Sequence, residues 1–123
     1  MTKGENRNRQ FPNKLNTTAI VKMFILCFLS QRSHYGNELI DKIEISLNYK
    51  WRPSPGMIYP LLRTMEESQL IVGWWDEPDK KTKRNYKITD IGIKHFEKLK
   101  LLYKPLLDES LTIITNTLNT IFK

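Results

Sequence analysis

The sequence predicts a mainly helical chain with one small β-hairpin: a winged helix-turn-helix followed by a C-terminal helix built for dimerisation. Three observations carry that expectation. Ser54-Pro55-Gly56 marks a helix start ahead of an amphipathic stretch. Two runs of strand-forming residues, 70–75 and 84–88, flank a polar basic loop. From Ile93 to the end, apolar residues recur every three or four positions.

Residues 1–16 are polar and basic, with Lys3, Arg7, Arg9 and Lys14 against Glu5, and read as a flexible arm with Phe11 and Leu15 as anchors. Thr17 or Thr18 is expected to cap a first helix running to about Gln31, apolar nearly all round as suits burial on several sides. Its apolar run is too short to cross a bilayer and contains Lys22, and the preceding tail lacks a cleavage-site pattern, so neither a transmembrane helix nor a signal peptide is expected. Cys27, the single cysteine, excludes an intrachain disulfide and fits core packing in a reducing, cytoplasmic compartment. A second helix from Gly36 or Asn37 places Leu39, Ile40, Ile43 and Leu47 on one face and pairs Glu38 with Lys42 on the other.

In the third helix Ser54 accepts from a first-turn amide and Pro55 occupies the first helical position, where no amide is needed. Ile58, Leu61, Leu62 and Met65 form the buried stripe, leaving Met57, Tyr59, Arg63, Thr64, Glu66 and Glu67 outside. Pro60 falls early enough to cost little. In the hairpin Tyr86 and Ile88 share one face, Asn85 and Lys87 the other, and the adjacent Trp74 and Trp75 point to opposite faces. Thr89 or Asp90 caps a last helix carrying Ile93, Phe96, Leu99 and Tyr103, which Pro105 is expected to kink or break. Beyond the proline, Leu107, Leu111, Ile114, Leu118 and Ile121 continue at heptad-like spacing with only Asp108 and Glu109 as charges before Lys123. So small a chain has little body to cover another apolar helix, so the expected partner is the same helix of a second copy. The expected organisation is an arm over 1–16, a DNA-binding unit over 17–92 and a dimerisation region over 93–123.

Three ordered motifs resemble the PadR-like transcriptional regulators: Tyr35-Gly36-Asn37-Glu38-Leu39-Ile40, the stretch from Trp51 to Leu62, and Thr89-Asp90-Ile91-Gly92. The resemblance covers about residues 18–103, with Gln69 where family members commonly carry Gly and Asn37 where an aromatic is common. It implies a winged helix that binds double-stranded DNA through its third helix and wing, and, in some members, a small aromatic effector between subunits.

Charge supports that direction. Twenty Lys plus Arg against thirteen Asp plus Glu give a formal net charge of +7, which favours a polyanionic partner. The candidate DNA contacts are Tyr35, Ser54, Gly56, Met57, Tyr59 and Arg63 with Lys80, Lys81, Lys83 and Arg84 of the wing. Arg63 suits guanine by bidentate pairing, Ser54 with the first amides suits phosphate, and the wing cations suit backbone neutralisation or minor-groove entry. Dimerisation falls to Phe96, Leu99, Tyr103, Leu107, Leu111, Ile114 and Leu118. Trp51 reads as a core plug between the second and third helices, with Trp74 and Trp75 as further candidates for an effector pocket.

Catalytic and cofactor readings find no support. His34 reads as a turn residue and His95 as solvent- or dimer-facing, no cluster has metal-ligand spacing, and no glycine loop cradles phosphate. The expected function is a homodimeric repressor on a palindromic operator. A winged helix whose basic face docks an acidic protein stays open as the alternative, and an enzyme would need a site that these residues do not supply.

Overall fold

The computed structural model describes residues 15–79, 81 and 83–123. Residues 1–14 of the expected arm and Lys80 of the expected wing lie outside them. The described elements are α1 (Thr17–Gln31), β1 (His34–Tyr35), α2 (Gly36–Ser46), α3 (Pro55–Glu67), β2 (Ile71–Trp75), β3 (Arg84–Ile88) and α4 (Asp90–Ile121).

Helix α1 supplies the middle of the core. Val21, Ile25, Leu26 and Leu29 are buried in one cluster with Leu39, Ile40 and Ile43 of α2, Ile58, Leu62 and Met65 of α3, and Phe96 of α4. The half-buried Cys27 packs against the same cluster with its thiol free. The cap of α1 is Asn16, one residue before the expected threonines: its carboxamide oxygen accepts from the Ala19 amide at 2.8 Å, a role for which Asn outranks Thr. In α2 the anticipated Glu38–Lys42 pairing gives way to stronger local offers. Glu38 accepts from the Tyr35 amide at 2.8 Å and pairs with Arg32 at 3.5 Å, while Lys42 lies over the Phe28 ring.

Helix α3 ends in a left-handed cap. The Leu70 amide donates to the Met65 carbonyl and the Gln69 amide to the Glu66 carbonyl, with Leu70 and Met65 both buried, and Gln69 takes φ 65°. A side chain in that region is strained, which explains why glycine suits the position. Gln69→Gly is therefore expected to stabilise the chain by roughly 0.5–1 kcal/mol in urea titration, with no change in the fold.

Three antiparallel strands form a sheet in the order β1-β3-β2. His34, expected in a turn, belongs to it: it pairs with Tyr86 and is 1% exposed. Its Nδ1 lies 2.9 Å from the Arg32 carbonyl, which can only accept, so Nδ1 carries the proton and Nε2 is left buried without a partner among the described residues. His95 is likewise corrected: it is half-buried, its Nε2 also lacks a partner, and Lys22 of α1 is among the charges that act on it. Burial first, then neighbouring cations, hold both imidazoles below the ordinary value near 6.5. The unfolded chain thus binds protons that the folded chain refuses. Stability is expected to be full above about pH 6.5 and to fall as pH drops toward the depressed folded values. Thermal unfolding followed from pH 8 to 5 checks this, and His34→Asn, which keeps the hydrogen bond to Arg32, should flatten the slope.

Helix α4 begins at the Thr89 cap, whose hydroxyl oxygen accepts from the Gly92 amide at 3.0 Å and lies 2.6 Å from the Gln69 carbonyl, to which it donates. The helix then runs 32 residues, about 48 Å, without the break expected at Pro105. The carbonyl that loses its partner there belongs to Leu101, which is 80% exposed, so water satisfies it, and the Lys104–Asp108 ion pair at 2.9 Å brackets the proline. Phe96 is a further correction: it lies in the chain's own core, with Leu99 half-buried beside it, because α4 packs its first turns on α1. Beyond that point Leu107, Leu111, Ile114, Leu118 and Ile121 are all exposed.

Candidate nucleic-acid interface

The start of α3 is shaped by three small residues. Ser54 is extended at φ −80°, ψ 156°, and its hydroxyl oxygen accepts from the Met57 amide at 3.2 Å. Pro55 has no amide to offer, so Gly56 carries the remaining outward donor of the first turn, at the positive end of the helix dipole. Gly56 also differs from its fellow glycines. A Cβ at Gly36, Gly73 or Gly92 would collide with the chain's own atoms within 3.0 Å, whereas one at Gly56 would meet nothing nearer than the Ser54 hydroxyl at 3.9 Å. Among the described residues nothing requires glycine here. An external body approaching the first turn would.

Gly56, Tyr59, Pro60, Arg63 and Glu67 follow at helical spacing and are all exposed, forming one outward stripe. Among the described residues Arg63 has no hydrogen bond or ion pair, so its guanidinium is available to a partner. Met57 does not belong to the stripe: it is half-buried and packs against the core, roughly a quarter-turn away from Gly56. Tyr59 stays on the rim with 38% of its surface exposed, its ring pressed over Gly36, where an added Cβ would stand 2.5 Å from Cε1. The glycine of the Tyr35-Gly36 motif is thereby explained by the α2–α3 crossing.

The wing stands beside this helix. An open hollow of about 390 Å³ separates them, lined by Tyr35, Gly36, Asn37, Tyr59, Trp75, Lys81, Lys83, Arg84 and Tyr86. The structure thus gathers Tyr35, Tyr59, Lys81, Lys83 and Arg84 of the expected contacts around one concavity and adds Asn37 and Trp75. Asn37 is exposed on the first turn of α2, where the chain departs from the common aromatic; that departure was the signal that could have marked it. Lys81 and Lys83 are exposed, Lys81 at φ 50° with its amide donating to the Glu77 carbonyl, so backbone geometry turns the loop at that point. Lys83 lies with its ammonium 5.3 Å from the Tyr35 ring centre.

Two expected DNA contacts are already engaged. The Tyr35 hydroxyl donates to the Asp76 carboxylate. Arg84 donates to both oxygens of Glu66, at 2.8 and 3.3 Å, and to the Gly73 carbonyl at 3.1 Å, and that ion pair is the first cause raising its pKa above the ordinary arginine value. Arg84 is therefore anchored in the wing through its Nε and Nη2. Its partner Glu66 reads from sequence only as an outward-facing residue, because helical spacing carries no information on the distance between positions 66 and 84.

The tryptophans do not converge. Trp75 lies by the Arg84 guanidinium, Trp74 is exposed and points to the other face, and Trp51 is 40% exposed beside Leu15, Ile20 and Leu47. Trp51 is thus not the expected plug between α2 and α3, because the left-handed pair Asn48 and Tyr49 carries the connection around the end of α2. Among the described residues no group of three or more His, Cys, Asp or Glu could hold a metal ion, and no helix is long and apolar enough to cross a membrane.

A family model described as the PadR-like transcriptional regulator family matches residues 25–98, well over half of the chain. The chain belongs to the PadR-like family. These are DNA-binding transcriptional regulators rather than enzymes, and the matched region takes in α2, α3 and the wing. The transcriptional regulator YqjI of Escherichia coli is 39% identical over 61 residues, which is 50% of this chain and 30% of that protein. The chain thus spans less than a third of the length of that curated relative. Among solved structures, a transcriptional regulator from Thermoplasma acidophilum is similar at TM-score 0.63 and 27% identity, over 85% of this chain and 95% of that one. A PadR-like regulator from Bacillus cereus is similar at TM-score 0.58 and 29% identity, over 82% of this chain and 92% of that one.

Proposed function

We propose that this PadR-like chain acts in the cytoplasm as a homodimeric repressor that occupies a palindromic operator, with residues 17–92 as its reading head and residues 93–123 as its dimerisation region. The observation that carries the reading is that Tyr59, on the exposed stripe of α3 that also holds Gly56 and Arg63, lines one hollow with Lys81 and Lys83 of the wing. A duplex laid there meets the orphan Gly56 amide, the free Arg63 guanidinium and two exposed ammonium groups together. Arg63 reads bases by its fork, while Lys81 and Lys83 hold phosphates. The exposed row on α4 supports pairing with a second copy, and two heads on a two-fold axis read half-sites about one helical turn apart. A small aromatic effector, as the family resemblance implies, would weaken repression only as far as it prefers the head spacing that DNA does not.

Substitution at two places tests the reading. Lys81→Gln with Lys83→Gln is expected to weaken DNA binding and to reduce the salt slope by about two, while the protein stays dimeric. Fluorescence anisotropy at several salt concentrations measures both. Unchanged affinity and slope would remove the wing from the interface and favour the docking of an acidic protein instead. Gly56→Ala separates binding from stability: it should leave the fold intact or stabilise it by up to about 0.5–1 kcal/mol, yet weaken DNA binding, because the added methyl group stands only in the path of a ligand.

A further inference from the structure

We propose that Glu66 and Arg84 are positioning residues that set the angle of the wing against α3, and with it the separation at which the wing lysines and the first turn of α3 meet one duplex; this rests on the DNA-binding reading above. The geometry is that of a clamp between two elements. Both oxygens of Glu66, in the last turn of α3, receive Arg84 of β3, and Oε2 also accepts from the Gly73 amide of β2 at 3.2 Å. Arg84 in turn donates to the Gly73 carbonyl. One carboxylate thus fixes both strands of the wing to the reading helix.

Three features make the clamp specific. Arg84 passes close over β2 at a point where residue 73 has no side chain: a Cβ there would stand 2.9 Å from Arg84 Nε and 3.0 Å from the Tyr86 ring. The guanidinium carbon lies 5.2 Å from the Trp75 ring centre and 5.9 Å from that of Tyr86, so the cation is bounded by two aromatic rings as well as by the carboxylate. A bidentate fork between planar groups fixes direction as well as distance, which a lysine in the same place could not do. The other side of the wing has its own tether, the Tyr35 hydroxyl donating to Asp76 just past the end of β2.

Charge alone argues against this arrangement. A DNA-facing surface gains affinity from each free cation, yet here an arginine is neutralised by an acid from the helix that reads the groove. What the pairing supplies is orientation. The base of the wing is held by β1 and by burial of Ile71 and Tyr86, but β1 is only two residues long, so without the clamp the outer part of β2 and β3 is free to twist relative to α3. Specific binding requires groove and backbone contacts to be made at once, whereas non-specific binding does not.

The test uses the full chain and a duplex obtained by selection from a random pool with the wild-type protein, together with a scrambled control. Glu66→Gln removes the acid and raises local positive charge by one, so charge alone predicts tighter binding to both duplexes. Positioning predicts the opposite sign on the selected duplex: about tenfold weaker binding there, equal or tighter binding to the scrambled one, and a correspondingly smaller specificity ratio. Arg84→Lys, which keeps the charge and loses the fork, should reduce the ratio in the same way. Measurements are made well below the unfolding midpoint of each variant, located by circular dichroism. A wild-type ratio in both variants would overturn the proposal, as would an equal loss on both duplexes, which reports a loosened fold and not a misplaced wing. If the wild-type chain selects no duplex, the DNA-binding reading falls and this proposal with it; if it selects one and the variants keep its ratio, this proposal falls alone.

Discussion

Gly92→Ala is expected to destabilise the chain by about 3 kcal/mol, a large share of the few kcal/mol that hold a domain of this size together. A methyl group at residue 92 would stand 2.0 Å from the Leu70 carbonyl oxygen and 2.7 Å from Cγ1 of Ile88. The nearest atom is backbone, so no rotamer change relieves it. The Leu70 carbonyl also accepts from the Thr89 amide at 3.0 Å and lies 3.0 Å from the Thr89 hydroxyl. To admit the methyl group, α4 must lift away from the α3–β2 junction and loosen those bonds, at about 1 kcal/mol each on top of the overpacking. Urea unfolding measures the loss, and Gly56→Ala, which meets no such wall, serves as the control. A Gly92→Ala variant as stable as wild type would mean that α4 does not seat on the junction as described.

Replacing Leu111 and Ile114 with glutamate is expected to turn the proposed dimer into a folded monomer and to cost about two to four orders of magnitude in binding to a two-half-site duplex. Within the single chain these residues are 63% and 57% exposed, so the charges leave the core around α1 untouched. What they reach is the exposed row of α4, where the proposed dimer would oppose two desolvated carboxylates per chain with two more. Once the second head is no longer tethered, its local concentration at the neighbouring half-site is lost, and that factor is of order 10²–10⁴. Sedimentation equilibrium and anisotropy read the two effects separately. A variant that remains dimeric would place the interface on another face.

The same helix shows what the sequence makes legible and what it does not. Its periodicity was plain from Ile93 onward, but the division of labour along it was not: Phe96 turns into the chain's own core while Leu111 does not, and that depends on where α1 ends and how α4 crosses it. Local chemistry was legible wherever it was truly local. The Ser54 and Thr89 caps, the stripe of Ile58, Leu62 and Met65, and the alternation of β3 all follow from neighbours in sequence. Contacts between distant positions were not. The strand His34–Tyr35 is only two residues long and exists because β3 offers it an edge, and no local pattern announces so short an element. In the sequence Arg84 is one more cation in a basic run; its engagement with Glu66 depends on a fold that brings α3 and β3 together. A proline breaks a helix where the freed carbonyl is buried, and Pro105 is tolerated here because water can serve it.

Glycine gives the sharpest distinction between architecture and function in this chain. Gly36, Gly73 and Gly92 are each explained by an atom of the protein itself, so their substitution reports on packing. Among the described residues Gly56 is explained by none, and it lies at a helix start on the same exposed stripe as Arg63. The proposed contact of that helix start with a duplex would account for Gly56, as packing accounts for the other three.

The proposed surface is expected to recognise a DNA sequence and not merely its charge. The most direct test is fluorescence anisotropy of the full chain against the DNA upstream of its own coding sequence and a scrambled duplex, each at low and near-physiological salt. A preference for the upstream DNA of about a thousandfold that persists at the higher salt is the expected result. Equal affinity for both duplexes, erased as salt rises, would contradict it.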